Sequence, residues 1–185
     1  MRTFALVLVA AIAACAPSAP AQVDAASNAC AAEAQAPWRP LSGVEFHVEA
    51  TSAGPTCEHA VATLTIRATD GRVLWADAAP TAHLFGLNEA RDADAMQAAL
   101  ADWISQGMQS FASTSALPEW PEGAQSPESG EFPFYVEQWF DRASYEALRA
   151  RGTPVYCYVQ GMESMACVGL ADGRMEKIAV QSFPG

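Results

Sequence analysis

Four of the five cysteines constrain this 185-residue chain more than any other feature, because their spacing limits which segments can lie side by side. They are Cys30, Cys57, Cys157 and Cys167. An even number of cysteines in an exported chain is typical of a disulfide-bonded fold, and four of them allow three pairings.

The segment 161–163 favours one of these pairings. Apolar runs precede and follow it, as in two strands joined by a hairpin loop. Such a loop places Cys157 directly opposite Cys167, at the separation that a disulfide needs. Cys30 then pairs with Cys57 by elimination.

The first fourteen residues predict export from the cytosol. One arginine follows the first methionine, and eleven apolar residues run from Phe4 to Ala14. This run is shorter than the roughly twenty residues that cross a bilayer, and it matches the apolar region of a secretory signal. Export would place the cysteines in an oxidising compartment, where disulfides persist.

The apolar run ends in the sequence IAAC, in which the cysteine is Cys15. This segment resembles the lipobox of bacterial lipoproteins, where a branched apolar residue and two small residues precede the cysteine that is lipidated. The resemblance implies a lipid on Cys15, and Ala16 implies an outer-membrane protein that faces the periplasm. The alternative is ordinary signal cleavage after Ala21, which gives a soluble periplasmic or secreted protein.

Three segments follow from these patterns. Residues 1–14 form a lipoprotein-type signal peptide. Residues 15–36 are rich in Ala, Pro, Ser and Gln, a composition that predicts a flexible tether. Residues 37–185 are expected to form one disulfide-stapled domain.

Strand patterns dominate both ends of this domain. Residues 44–50 alternate between apolar and polar side chains, as a half-buried strand does. An Asp-Gly turn at 70–71 places Ile66 opposite Trp75 in a hairpin, and a further strand is expected over 81–87. Near the C-terminus, three strands are predicted to form a meander; their ranges are 155–160, 164–171 and 174–181.

Two helices are predicted between these groups of strands. Asp94 and Gln97 form a capping box at the start of the first helix, and Gly107 is expected to end it. The second helix is predicted from Asp141 to Arg151. This order predicts an α+β fold, in which an antiparallel sheet of hairpins and a meander packs against about two helices.

The charge of the chain argues against nucleic-acid binding. Its 21 acidic and 10 basic residues give a formal net charge of −11, and Lys177 is the only lysine. Since binding a phosphate backbone requires Lys and Arg to displace counterions, we predict no nucleic-acid partner.

The sequence also lacks the motifs of common enzyme and metal sites. It contains no G-x-S-x-G elbow, no phosphate-binding loop and no C-x-x-C pair beside the Cys57-Glu58-His59 segment. His47 lies on the polar side of its strand, where a solvated histidine is expected. We therefore predict no metal and no cofactor, and we favour a binding protein over an enzyme.

Three residues are candidate contacts for a partner. Met162 and Glu163 lie at the predicted tip of the hairpin, where the neighbouring disulfide would lower the ordering cost of binding. Trp120 lies in the acidic, proline-rich segment 112–133, and such long segments often carry function. The alternatives are a plain polar turn at 161–163 and a tryptophan that only holds its loop on the domain.

Together these patterns predict a bacterial envelope lipoprotein with a non-enzymatic domain that binds or scaffolds another envelope protein. One alternative is a periplasmic enzyme inhibitor or immunity protein, for which a small acidic domain is suited to a basic target. The other is a hydrolase that acts through paired carboxylates, since such pairs are spatial and leave no sequence motif.

Overall fold

A computed structural model describes residues 28–183. The predicted signal peptide, Cys15 and most of the predicted tether therefore lie outside the described residues. The described chain forms eight strands, two α-helices and two short 3₁₀ turns, at Thr81–His83 and Thr114–Ala116. In chain order the main elements are β1 (Ala32–Leu41), β2 (Val44–Ala53), β3 (Val61–Ala68), β4 (Val73–Pro80), α1 (Ala93–Met108), β5 (Phe134–Val136), α2 (Arg142–Arg151), β6 (Val155–Val159), β7 (Ser164–Ala171) and β8 (Arg174–Ser182).

The first sheet is an antiparallel meander in the order β1-β2-β3-β4. Its inner face follows the predicted alternation, because Val48 pairs with Ile66 and Ala50 pairs with Leu64, all four of them buried. The predicted pairing of Ile66 with Trp75 is also confirmed.

The predicted boundary of the tether at residue 36 is corrected by β1, which begins at Ala32. Ala34 and Ala36 pair with inner-face residues of β2, and α1 packs across β1. Side chains as small as alanine fit under the helix, while Glu33 and Gln35 remain exposed. Alanine has a low strand propensity, and for this reason the composition of residues 32–36 predicted a tether. Packing against α1 stabilises a strand there instead.

The second sheet has the order β5-β8-β7-β6 and contains the predicted C-terminal meander. Every residue of β6 is buried. Tyr156 and Tyr158 face α1 and the first sheet, whereas Val155 and Cys157 belong to a second apolar cluster with α2. Both faces of β6 are covered by other elements, which explains why its apolar residues run without interruption. The predicted α+β fold with antiparallel pairing and two helices is confirmed, but the strands form two four-stranded sheets where one sheet was expected.

Both disulfides match the predicted pairing. Cys157 lies directly opposite Cys167 in the β6–β7 register and is bonded to it. Cys30 is bonded to Cys57, which fastens the start of β1 to the loop between β2 and β3.

The limits of α1 differ from the prediction at both ends. The N-cap is Asp92, whose carboxylate accepts a 2.8 Å hydrogen bond from the Ala95 amide, so Asp94 lies inside the first turn. Either aspartate is a suitable cap, and the earlier one lengthens the helix. Gly107 does not end α1, which continues to Met108; it is buried against Tyr156 instead.

The second helix begins and ends as predicted. Asp141 and Ser144 form a reciprocal capping box, and Gly152 ends the helix with a φ of 62°. A glycine adopts this left-handed backbone without strain.

Candidate functional site

The hairpin between β6 and β7 ends in a short loop. Hydrogen bonds to Phe85 and to Phe183 hold this loop in place. The amide of Gln160 donates a 3.0 Å hydrogen bond to the carbonyl of Ser164, which closes the loop. On one side, the carbonyl of Gly161 accepts a hydrogen bond from the Phe85 amide; on the other, the carbonyl of Glu163 accepts one from the Phe183 amide. With the Cys157–Cys167 disulfide below it, the loop has little freedom to lose when it meets a partner.

Phe85 is held at the surface by its neighbours in the chain. Leu84 and Leu87 are buried, and the Asn88 amide donates a 3.0 Å hydrogen bond to the Leu84 carbonyl. This turn directs Phe85 outward, so that 58% of it is exposed.

The predicted strand over 81–87 is therefore wrong. The hydroxyl of Thr81 donates to buried carbonyls in the β2–β3 loop and draws the chain across the end of the sheet.

Together these segments enclose a shallow apolar cavity of about 300 Å³. Its walls are Phe85, Val159, Gly161, Met162, Ser164, Met165 and Phe183. Phe132 extends the apolar surface, because its ring centroid lies 4.9 Å from that of Phe183. We call this surface, comprising Phe85, Phe132, Met162, Met165 and Phe183, the tip surface.

Exposure of single large hydrophobic side chains is ordinary, but here two line one cavity and a third, Phe132, lies beside it. Met162 is 49% exposed and lines the same cavity as Phe85. Of the predicted partner contacts, Met162 therefore belongs to the tip surface, and Glu163 is exposed directly beside it. The sequence analysis missed Phe85, Phe132 and Phe183, since they lie in three segments that only the fold brings together.

Trp120, the third predicted contact, is half-buried against α2. Its ring packs on Tyr145 with centroids 5.8 Å apart, and its indole donates a 2.9 Å hydrogen bond to Ala124. The backbone amide of Trp120 donates to Glu146, and this bond is the main reason why the pKa of Glu146 is lowered. These contacts are those of a tryptophan that holds its loop on the domain.

All three histidines, His47, His59 and His83, are exposed. His47 is exposed on the outer face of β2, and the two glutamates beside it pair with arginines: Glu45 with Arg39 at 2.6 Å and Glu49 with Arg67 at 2.9 Å. His59 is exposed and accompanies Thr56, whose hydroxyl lies 2.9 Å from its Nδ1. Within residues 28–183, no group of three or more His, Cys, Asp or Glu side chains is placed to hold a metal ion.

A chain of side-chain hydrogen bonds joins the two sheets. Tyr158 donates a 2.6 Å hydrogen bond to Asp77 on β4 and accepts a 3.2 Å bond from the indole of Trp75. Burial, and then the bond to Asp77, raise the pKa of the Tyr158 phenol far above its ordinary value. All three polar groups are thereby engaged within the fold, so they serve packing between the sheets.

The fold and the site define a disulfide-stapled α+β domain with an apolar surface at the tip of a rigid hairpin. A comparison with known proteins found no matching family model, no matching curated protein and no matching solved structure. Among the described residues, none of the helices has the length and apolar character needed to span a bilayer.

Proposed function

We propose that this chain is a lipid-anchored bacterial envelope protein whose domain binds another envelope protein without catalysis. The observation that carries this proposal is the tip surface, where Phe85 and Met162 are about half exposed around one apolar cavity. Burying such side chains against a partner is favourable by roughly 25 cal/mol per Å² of apolar area.

The rigidity of the tip supports binding. Two backbone hydrogen bonds and one disulfide fix the loop before any partner arrives. A preorganised loop loses less conformational entropy on association than a free one, so more of the burial energy is expressed as affinity.

The envelope location rests on three features that agree. The signal-like N-terminal segment and the IAAC sequence ending at Cys15 favour export and lipidation. Two disulfides, each with fully or nearly fully buried sulfur-bearing residues, suit an oxidising compartment. The anchor is testable separately: Cys15→Ser should move the protein from the membrane fraction to the soluble periplasmic fraction, and an unchanged distribution would refute lipid anchoring.

Site-specific photo-crosslinking tests the binding function. A benzoylphenylalanine residue is introduced at position 85 or at position 162, in the full chain, in cells of the organism that makes it. Matched controls carry the same photoreactive residue at Val73 or Tyr135, which are also exposed hydrophobic positions. Both tip positions should give the same discrete adduct, and the controls should not. Equal adducts from all four positions, or none from the tip, would reject the proposal.

A further inference from the structure

We infer that the partner segment that docks at the tip is basic and amphipathic, with large apolar side chains placed on both sides of Phe85. This inference deepens the proposed function and depends on it. It concerns the chemistry of the partner, which the exposed apolar residues alone leave open.

Phe85 lines two cavities. On the hairpin side lies the cavity of about 300 Å³ that it shares with Met162. On the other side lies a cavity of about 440 Å³ between the 85–90 segment and α1. Ala95, Ala98 and Ala99 form much of its floor, and these small side chains leave room for bulkier ones from outside. A partner can therefore place apolar side chains on either side of the Phe85 ring.

Carboxylates lie at both cavities, and no basic side chain lines either of them. Glu89 and Asp102 line the larger cavity, Glu163 lies beside the smaller one, and no Lys, Arg or His is among the lining residues of either. None of the three forms an ion pair with another residue between 28 and 183. Elsewhere among residues 28–183, seven other carboxylates pair with arginine or lysine and ten form no ion pair. What distinguishes Glu89, Asp102 and Glu163 is therefore their position at the two cavities.

The smaller cavity is apolar, the larger one has a mixed polar and apolar lining, and carboxylates lie at both. This combination indicates the chemistry of the partner. A segment that carries Lys or Arg beside its apolar side chains would neutralise the carboxylates while it fills the cavities. A membrane surface fits less well, because anionic head groups would be repelled by the same three carboxylates. The charge and the apolar lining thus favour a protein segment over lipid.

Synthetic peptides test this chemistry directly. The probe is a fluorescent helix of about 18 residues, roughly five turns, with leucine on one face and lysine on the other. One comparison peptide has glutamate in place of lysine, and a second has serine in place of leucine. Fluorescence anisotropy measures binding to the full chain carrying Cys15→Ser. The leucine–lysine peptide should bind about tenfold more tightly than either comparison peptide. Equal binding of all three would overturn the inference.

Variants of the protein distinguish binding at this site from attraction to the net negative charge of the protein. Phe85→Ser should weaken binding about tenfold, and Met162→Ser provides the same test at a second exposed position. Glu89→Gln with Asp102→Asn should weaken binding and reduce its salt dependence. The control, Glu122→Gln with Asp172→Asn, removes the same charge from exposed positions outside both cavities. Equal losses in the two double variants would show attraction to net charge alone and would overturn the inference.

Two further outcomes are decisive. Binding of neutral phosphatidylcholine vesicles that Phe85→Ser abolishes would assign the surface to lipid and would also overturn the inference. If the crosslinks from positions 85 and 162 identify a partner whose contacting segment lacks basic residues, the proposed function stands and only the inference fails.

Discussion

Gly107 of α1 lies so close to the phenol ring of Tyr156 that a β-carbon at position 107 would overlap the ring. The hydroxyl of Tyr156 donates a 2.9 Å hydrogen bond to the carbonyl of Ile104, one turn earlier in the same helix. Tyr156 is fully buried on β6. The pair therefore fixes the position of α1 on the second sheet, and the absence of a side chain at 107 makes this close approach possible.

Gly107→Ala tests this contact. At an open helix position alanine would stabilise the protein by about 1 kcal/mol relative to glycine. Here we expect the reverse, a loss of about 1 to 3 kcal/mol in the free energy of unfolding, because the ring must move from a close-packed core. Urea denaturation measures this change in the free energy of unfolding. Ala101→Gly, at an exposed position of the same helix, is the control and should lose about 1 kcal/mol. A gain in stability for Gly107→Ala would contradict the contact.

The bond between Tyr158 and Asp77 gives a second prediction. Tyr158→Phe leaves a half-buried carboxylate without its donor and the Trp75 indole without its acceptor, so it should cost about 1 to 3 kcal/mol. In an Asp77→Ala background the same change should cost less, since no carboxylate remains unpaired. A double-mutant cycle from chemical denaturation measures the coupling. Strict additivity of the two changes would show that the bond contributes nothing.

The two disulfides should differ in their contribution to stability. Cys30–Cys57 spans 27 residues and Cys157–Cys167 spans 10. In the chain-entropy account, replacing both cysteines of a bridge by alanine should cost about 2 to 4 kcal/mol, with the longer loop losing about 0.9 kcal/mol more. Urea denaturation of the two double variants measures the difference. Thiol titration of the denatured, unreduced protein should detect none of these four cysteines; four reactive thiols would rule out both bridges.

Stability should decline at high pH because of three buried tyrosines. Burial raises the pKa of Tyr145, Tyr156 and Tyr158 above the ordinary value of 10.0. The folded state therefore keeps these protons where the unfolded chain releases them, so the free energy of unfolding should be unaffected by them at neutral pH and should fall above about pH 10. In a titration to high pH, absorbance at 295 nm follows the ionisation of the phenols and circular dichroism follows the loss of structure. Ionisation of all three phenols before any loss of structure would contradict the prediction.

Local patterns predicted most of the fold because the relevant contacts are close in sequence. The register at 157 and 167 follows from a three-residue loop, and the capping box at 141–144 follows from two side chains within one turn. Patterns failed where a residue's role depends on a distant partner. Glycine often ends a helix, yet α1 continues through Gly107 to Met108, and Tyr156 packs against this glycine. The alanines of 32–36 have the composition of a tether, yet they form a strand because α1 covers them.

The candidate site shows the same division. Met162 and Glu163 were predicted as partner contacts because the cysteine spacing places them at a hairpin tip. Phe85 and Phe183 were not, since their positions at the tip depend on backbone hydrogen bonds from segments far apart in the chain.

The sequence by itself determined the disulfide pairing and the strand–helix–strand order, because each follows from spacing or periodicity within short segments. Only the tertiary structure decided which hydrophobic residues stay exposed. A side chain is buried or exposed according to what distant segments pack over it, and at Phe85 two buried leucines and a glycine-flanked turn leave the ring outside.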